Sequence, residues 1–212
     1  KEFLSELLKQ LKSIDYIKPE DIPNIDLYMD QVTTFMDEQL AASKRYESDK
    51  ILTKTMINNY AKNNLLPSPD KKKYSKEHVL TLLFIYYFKN ILSINDIRSI
   101  LNPLTEKYFG NDDGFTMQDV YTEVFSLEAE ESKKLLKDLG KKYKIAGETF
   151  EDFPDEDQKF LHTFSFICML SFDVYIKKML IERMIDNLNE EEEASSHENT
   201  HSGKESKKTG SK

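Results

Sequence analysis

No glycine occurs before Gly110, so the first half of this 212-residue chain must turn without the residue that tight sheet hairpins use for positive φ. Helices joined by short polar turns meet that restriction far more easily than a sheet does. The side chains agree. Lys, Glu, Leu and Ile are abundant, and 39% of the residues are hydrophobic, with thirteen Phe and eleven Tyr, enough apolar mass for a sizeable core. An all-α protein is the expected class.

A single cysteine, Cys168, excludes a disulfide framework and any metal site built from several thiolates. Its apolar neighbours suggest a buried, inert thiol. Residues 1–14 carry charges every few positions rather than a basic start followed by an apolar run, so they read as an amphipathic helix and not as a leader. The most apolar stretch, residues 160–176, contains His162 and Asp173 and is short for a membrane span, which needs about 20 residues. It reads as a core or dimer helix. A cytoplasmic location without membrane contact is the consistent expectation.

Charge is unevenly spread. Residues 51–110 hold nine basic and four acidic groups, net +5, inside a chain of net −8. A basic segment in an acidic protein can still meet phosphates, where a uniformly acidic chain would repel them.

Four regions follow from the pattern. Residues 1–50 form an N-terminal helical segment, with Pro19 and Pro23 separating two helices over residues 1–14 and 26–42. Residues 51–110 hold three more helices. The first is capped by Thr53, turns Leu52, Met56, Ile57 and Tyr60 inward, and stops at Asn63 and Asn64. Residues 65–74 are a loop or small hairpin. Ser75 caps the next helix, with His78 where a capping box wants Glu, and Ser93 caps a short helix stopped by Pro103. In residues 111–189, Thr116 starts a long helix that ends or kinks between Gly140 and Gly147, and the longest helix covers about 158–188. Residues 190–212 contain no large apolar side chain and are expected to be a disordered tail.

The informative stretch runs from Leu52 to Leu101. A helix with an exposed polar face leads to Asn64-Leu65-Leu66-Pro67, then to the basic loop Lys71-Lys72-Lys73, then to Tyr74-Ser75-Lys76-Glu77, and finally to Ser93-Ile94-Asn95-Asp96-Ile97. This order resembles the winged helix-turn-helix of MerR-type transcription regulators: a recognition helix with a Leu-Leu exit, a basic wing, a Tyr-Ser helix start, and a short helix opening on Ser. The whole chain is also similar to members of an uncharacterised bacterial family catalogued as domain of unknown function 1836, to which no activity is assigned.

The resemblance implies a winged core with extra N- and C-terminal helices, double-stranded DNA as partner, and a homodimer formed through the C-terminal helices. Physical chemistry supplies the roles. Thr53, Lys54, Thr55, Asn58, Asn59 and Lys62 would face the DNA from the recognition helix, Asn being able to bond adenine bidentately in the major groove. Lys71, Lys72, Lys73 and Tyr74 would form the wing, its lysines meeting backbone phosphate. Taken alone, three lysines in a loop are a solvated turn, and Phe84, Tyr86, Tyr87 and Phe88 at helical spacing are core packing.

No phosphate-cradling Gly loop, nucleophile elbow or His-Glu metal motif is present, so neither enzyme activity nor a cofactor is expected. His162 reads as a hydrogen-bonded core residue, and the acidic loop 148–157 as charge at the start of the next helix. The reading is therefore a DNA-binding transcription regulator. The alternative is a non-catalytic protein-interaction module on the same scaffold.

Overall fold

The computed structural model describes residue 9 and residues 16–111 and 113–205, with backbone alone at 128–130, 192–193 and 195–205. The helix expected over 1–14 lies, but for residue 9, outside the described residues. Seven α-helices follow among the described residues: α1 Met29–Gln39, α2 Lys54–Lys62, α3 Lys76–Phe88, α4 Ile94–Tyr108, α5 Met117–Ser126, α6 Glu128–Ala146 and α7 Asp155–Glu205. Two short strands, β1 Leu27–Tyr28 and β2 Lys73–Tyr74, pair antiparallel with Leu27 opposite Tyr74. The protein is mainly helical, as its glycine-poor first half requires.

The centre of the molecule is α3. His78 to Tyr86 are buried in an unbroken run, so no face of this helix meets water and its sequence carries no polar stripe. Around it pack Val32 and Met36 of α1, Ile57 and Tyr60 of α2, Ile97 and Leu101 of α4, and Met117 and Tyr121 of α5. Phe84 meets Tyr121 at 5.4 Å and Phe125 at 5.7 Å between ring centroids, so the aromatic cluster is core packing. Tyr121 also donates its hydroxyl to the carbonyl of Ile17 at 2.8 Å, tying the start of the core to its end. Leu83, fully buried, is expected to lose about 2–5 kcal/mol on truncation to Ala, through lost transfer energy plus a cavity. Urea unfolding should show a lower midpoint at unchanged slope; an unmoved midpoint would contradict this packing.

Local chemistry sets most helix starts. Thr53 accepts the Met56 N–H, and Ser93 and Thr116 form capping boxes with Asp96 and Asp119. Three expectations need correction. Pro103 does not stop α4, which continues to Tyr108. Leu101 is buried and Leu104 is packed on the core, and this packing on both sides of the proline holds the helix against its missing N–H. The helix begun at Thr116 is interrupted at Leu127, and its continuation α6 runs through Gly140 and ends, as expected, at the glycine cap Gly147. Beyond residue 190, where composition suggests a disordered tail, α7 runs on to Glu205. Extending an existing helix costs no new nucleus, and Glu and Ala are good helix formers.

α7 is 51 residues, about 76 Å at 1.5 Å per residue. Its first half packs on α6, where Phe166 sits against Tyr143 edge to face at 5.4 Å beside Leu139 and Ala146. Lys142 bridges the two helices through an ion pair to Asp173. Its second half lies on α4 and reaches the main core through Ile185. The covering neighbour of the first half is therefore α6 and not the Met117 helix. It covers only one side, leaving Phe160 (70%), Phe164 (51%) and Phe172 (64%) exposed. This stretch is not a core helix. Cys168 lies on the open side and is exposed, not buried. Among the described residues no helix is long and apolar enough to cross a membrane.

Candidate functional site

α2 is amphipathic for a simple reason. Ile57 and Tyr60 point into the core with Met56 beside them, and everything else polar is left outside. At 100° per residue Lys54, Asn58, Lys62, Thr55 and Asn59 occupy one arc of about 140°, and all five are exposed. The helix ends as its asparagines suggest: Asn64 adopts φ 56°, and the Leu65 N–H bonds the Tyr60 carbonyl at 2.9 Å, closing a Schellman stop. Thr53 stands apart from the exposed set. Half-buried, its hydroxyl is taken by the Met56 N–H at 3.2 Å, which makes it a cap and not a base reader.

The lysine loop is a tight turn. Asp70 pairs with Lys73, whose N–H bonds the Asp70 carbonyl at 2.8 Å, and between them Lys71 and Lys72 take φ 46° and 66°. Two consecutive left-handed residues are the geometry that hairpins normally reserve for Asn-Gly. Lysine carries a steric penalty there, and in return the turn holds both ammonium groups at its tip. Strand alternation then separates Lys73, exposed, from Tyr74, which is 3% exposed and lies over Leu27. Tyr74 is therefore a core residue and leaves the candidate set.

Long-range contacts join the helix to the turn. The ammonium of Lys73 stands 5.7 Å over the ring of Tyr28, the β1 residue paired with it. Two positions on, Asp30 forms an ion pair with Lys54 at the start of α2. Lys54 and Lys73 thus flank the same β1–α1 junction. At the other end of α2, Arg98 of α4 donates its Nε–H to the Asn63 carbonyl at 3.1 Å, placing a guanidinium at the negative end of the helix dipole. Tyr28, Asp30 and Arg98 were not evident from the sequence, because each depends on a partner 24 or more residues away.

His78 supports the turn from beneath. Its Nδ1 accepts the Ser75 N–H at 3.0 Å, so a neutral imidazole completes the capping box where Glu was expected. The ring packs edge-on against Tyr74 and Phe109, at 5.4 and 4.7 Å. Burial holds its pKa below the ordinary value of about 6.5, although Asp26 and the Pro67–Ser68 backbone pull the other way. The unfolded chain therefore binds this proton more readily than the fold does. Stability should be full above about pH 6.5 and fall as pH drops through the lowered folded value. Melting temperatures across that window should decline more in the wild type than in His78→Gln; equal declines would remove His78 as the cause.

Among the described residues, no group of three or more His, Cys, Asp or Glu is placed to hold a metal ion. His162 is half-buried with Nε2 2.8 Å from the Thr149 carbonyl, closing the loop between α6 and α7. Asp155, Glu156 and Asp157 open α7, where acidic groups favour the helix dipole.

Residues 17–124 match the model of the family described as Domain of unknown function (DUF1836), and the chain belongs to that family. The matched span begins at Ile17, the first buried residue among the described residues, and ends on α5, so it covers the core around α3 and leaves out α6 and α7. No curated protein and no solved structure matches the chain.

Proposed function

We propose that this protein is a DNA-binding transcription regulator of MerR-like winged helix-turn-helix type. The observation that carries the reading is the exposed polar arc of α2 together with the exposed lysine turn, each tied to the β1–α1 junction through Lys54–Asp30 and Lys73–Tyr28. Short polar side chains and cations lie exposed on one helical arc, and a strained turn exposes three lysines. The order strand, helix, helix, hairpin, helix is consistent with a winged module, whose second helix enters the major groove while the wing grips phosphate. Thr55, Asn58 and Asn59 would read bases. Lys54, Lys62, Lys71, Lys72, Lys73 and Arg98 would meet backbone phosphates.

A second copy of the chain is the partner proposed for α7. Ile176, Leu180, Met184 and Leu188 recur every four residues, are 39–59% exposed, and suit one partner helix. A dimer would also present two reading surfaces to paired half-sites.

One observation favours the alternative of a protein-interaction module. The carboxylate of Asp30 already neutralises Lys54 and faces the same surface, which opposes phosphate binding. An electrophoretic screen of the purified chain against genomic fragments from its source organism separates the two. Retardation of a subset of fragments at moderate salt supports the regulator; no retardation of any fragment supports the interaction module.

A further inference from the structure

Behind the proposed reading helix lies a feature that DNA contact does not use. A cleft of about 300 Å3 separates the inner face of α2 from the turn between α3 and α4. Met56, Tyr60, Leu65, Leu92, Ile94 and Ile97 give it an apolar lining, with the amide of Asn90 beside them. Lys89, the C-cap residue of α3, also lines it. Its ammonium donates to the Ile51 carbonyl at 2.6 Å and lies 5.0 Å from the Tyr86 ring centroid. Neither neighbour carries a full negative charge. No carboxylate lines the cleft, and Lys89 takes part in none of the ion pairs found among the described residues.

We propose that this cleft binds a small apolar carboxylate, a short acyl chain or single ring whose carboxylate meets the Lys89 ammonium. The size is at the small end of ligand sites, which run from about 300 to 1,000 Å3. The lining fits an apolar body with one polar end. A half-buried cation lacking an anionic partner is costly to keep charged, and an arriving carboxylate would offset that cost. Burial alone already pushes the Lys89 ammonium below its ordinary pKa, in keeping with a missing counter-charge. A ligand wedged here touches Met56 and Tyr60, the residues that seat α2 on the core. The site itself stands apart from the DNA reading; only the consequence, that occupancy tunes DNA affinity through the seat of α2, rests on it.

The test uses the 212-residue chain without DNA, so a failed DNA reading leaves it intact. Hexanoate and its neutral analogue 1-hexanol are titrated into protein carrying labelled Met and Ile methyl groups. The expected result is saturable movement of the Met56, Ile94 and Ile97 methyl signals, with hexanoate binding about tenfold tighter than hexanol. Lys89→Met should keep hexanol binding and abolish the preference. The wild-type comparison decides alone if that variant does not fold. Equal affinity for the two probes, no saturation, or shifts confined to Ile176, Met179 and Met184 on the exposed face of α7 would overturn the proposal.

Discussion

Replacing Lys71, Lys72 and Lys73 together with Ala is expected to flatten the salt dependence of DNA binding more than any other change at the surface. Each phosphate neutralised contributes about −0.9 to the slope of log affinity against log salt, so three lysines account for up to about 2.7 units. The turn that holds them is already strained into left-handed φ at two positions, and all three side chains are exposed. Alanine at these places removes charge without touching the core. Fold and melting temperature should therefore survive while affinity at low salt falls. Anisotropy titrations at several salt concentrations read the slope directly. A slope equal to that of the wild type would mean that this turn does not meet phosphate, whatever else the protein binds.

The second large effect is expected from a single charge on α7. Leu180→Glu places a carboxylate in the middle of the exposed stripe Ile176, Leu180, Met184 and Leu188. If two copies bury that stripe against each other, the change buries two unpaired carboxylates and the dimer separates. Light scattering at micromolar concentration should give about twice the 24.9 kDa chain mass for the wild type and the chain mass for the variant. Leu180 is 59% exposed within one copy, so the monomer fold should be unaffected and circular dichroism should not change. A wild type that scatters as a monomer would refute the pairing.

Features decided within a few residues were legible in the sequence. Thr53, Ser93 and Thr116 cap helices because their hydroxyls reach N–H groups two or three residues on, which spacing alone reveals. Asn64 takes the left-handed stop for an equally local reason. The exposed arc of α2 followed from its period. Features that depend on distant partners did not. Tyr74 adjoins three lysines and seemed to belong with them, yet pairing with Leu27 fixes the register and turns its side chain inward. Pro103 has the chemistry of a helix stop, and only packing of Leu101 and Leu104 overrides it. Cys168 sits among apolar residues, but whether such a stretch is buried depends on how many helices cover it. Among the described residues, the buried packing of this stretch is against α6, and Cys168 is left exposed. The ion pair between Asp30 and Lys54 spans 24 positions, so charge counting along the chain could not show that Lys54 already has a carboxylate neighbour.

The central claim, that α2 and the lysine turn read DNA sequence, is tested most directly by selection from a random duplex library with sequencing of the bound fraction. Wild type, the double variant Asn58→Ala with Asn59→Ala, and the triple lysine variant would be compared at one salt concentration. The reading predicts an enriched motif for the wild type, an altered or weaker motif for the asparagine variant at similar total binding, and reduced total binding for the lysine variant. No enriched motif with the wild type, or an identical motif and yield from all three proteins, would contradict it.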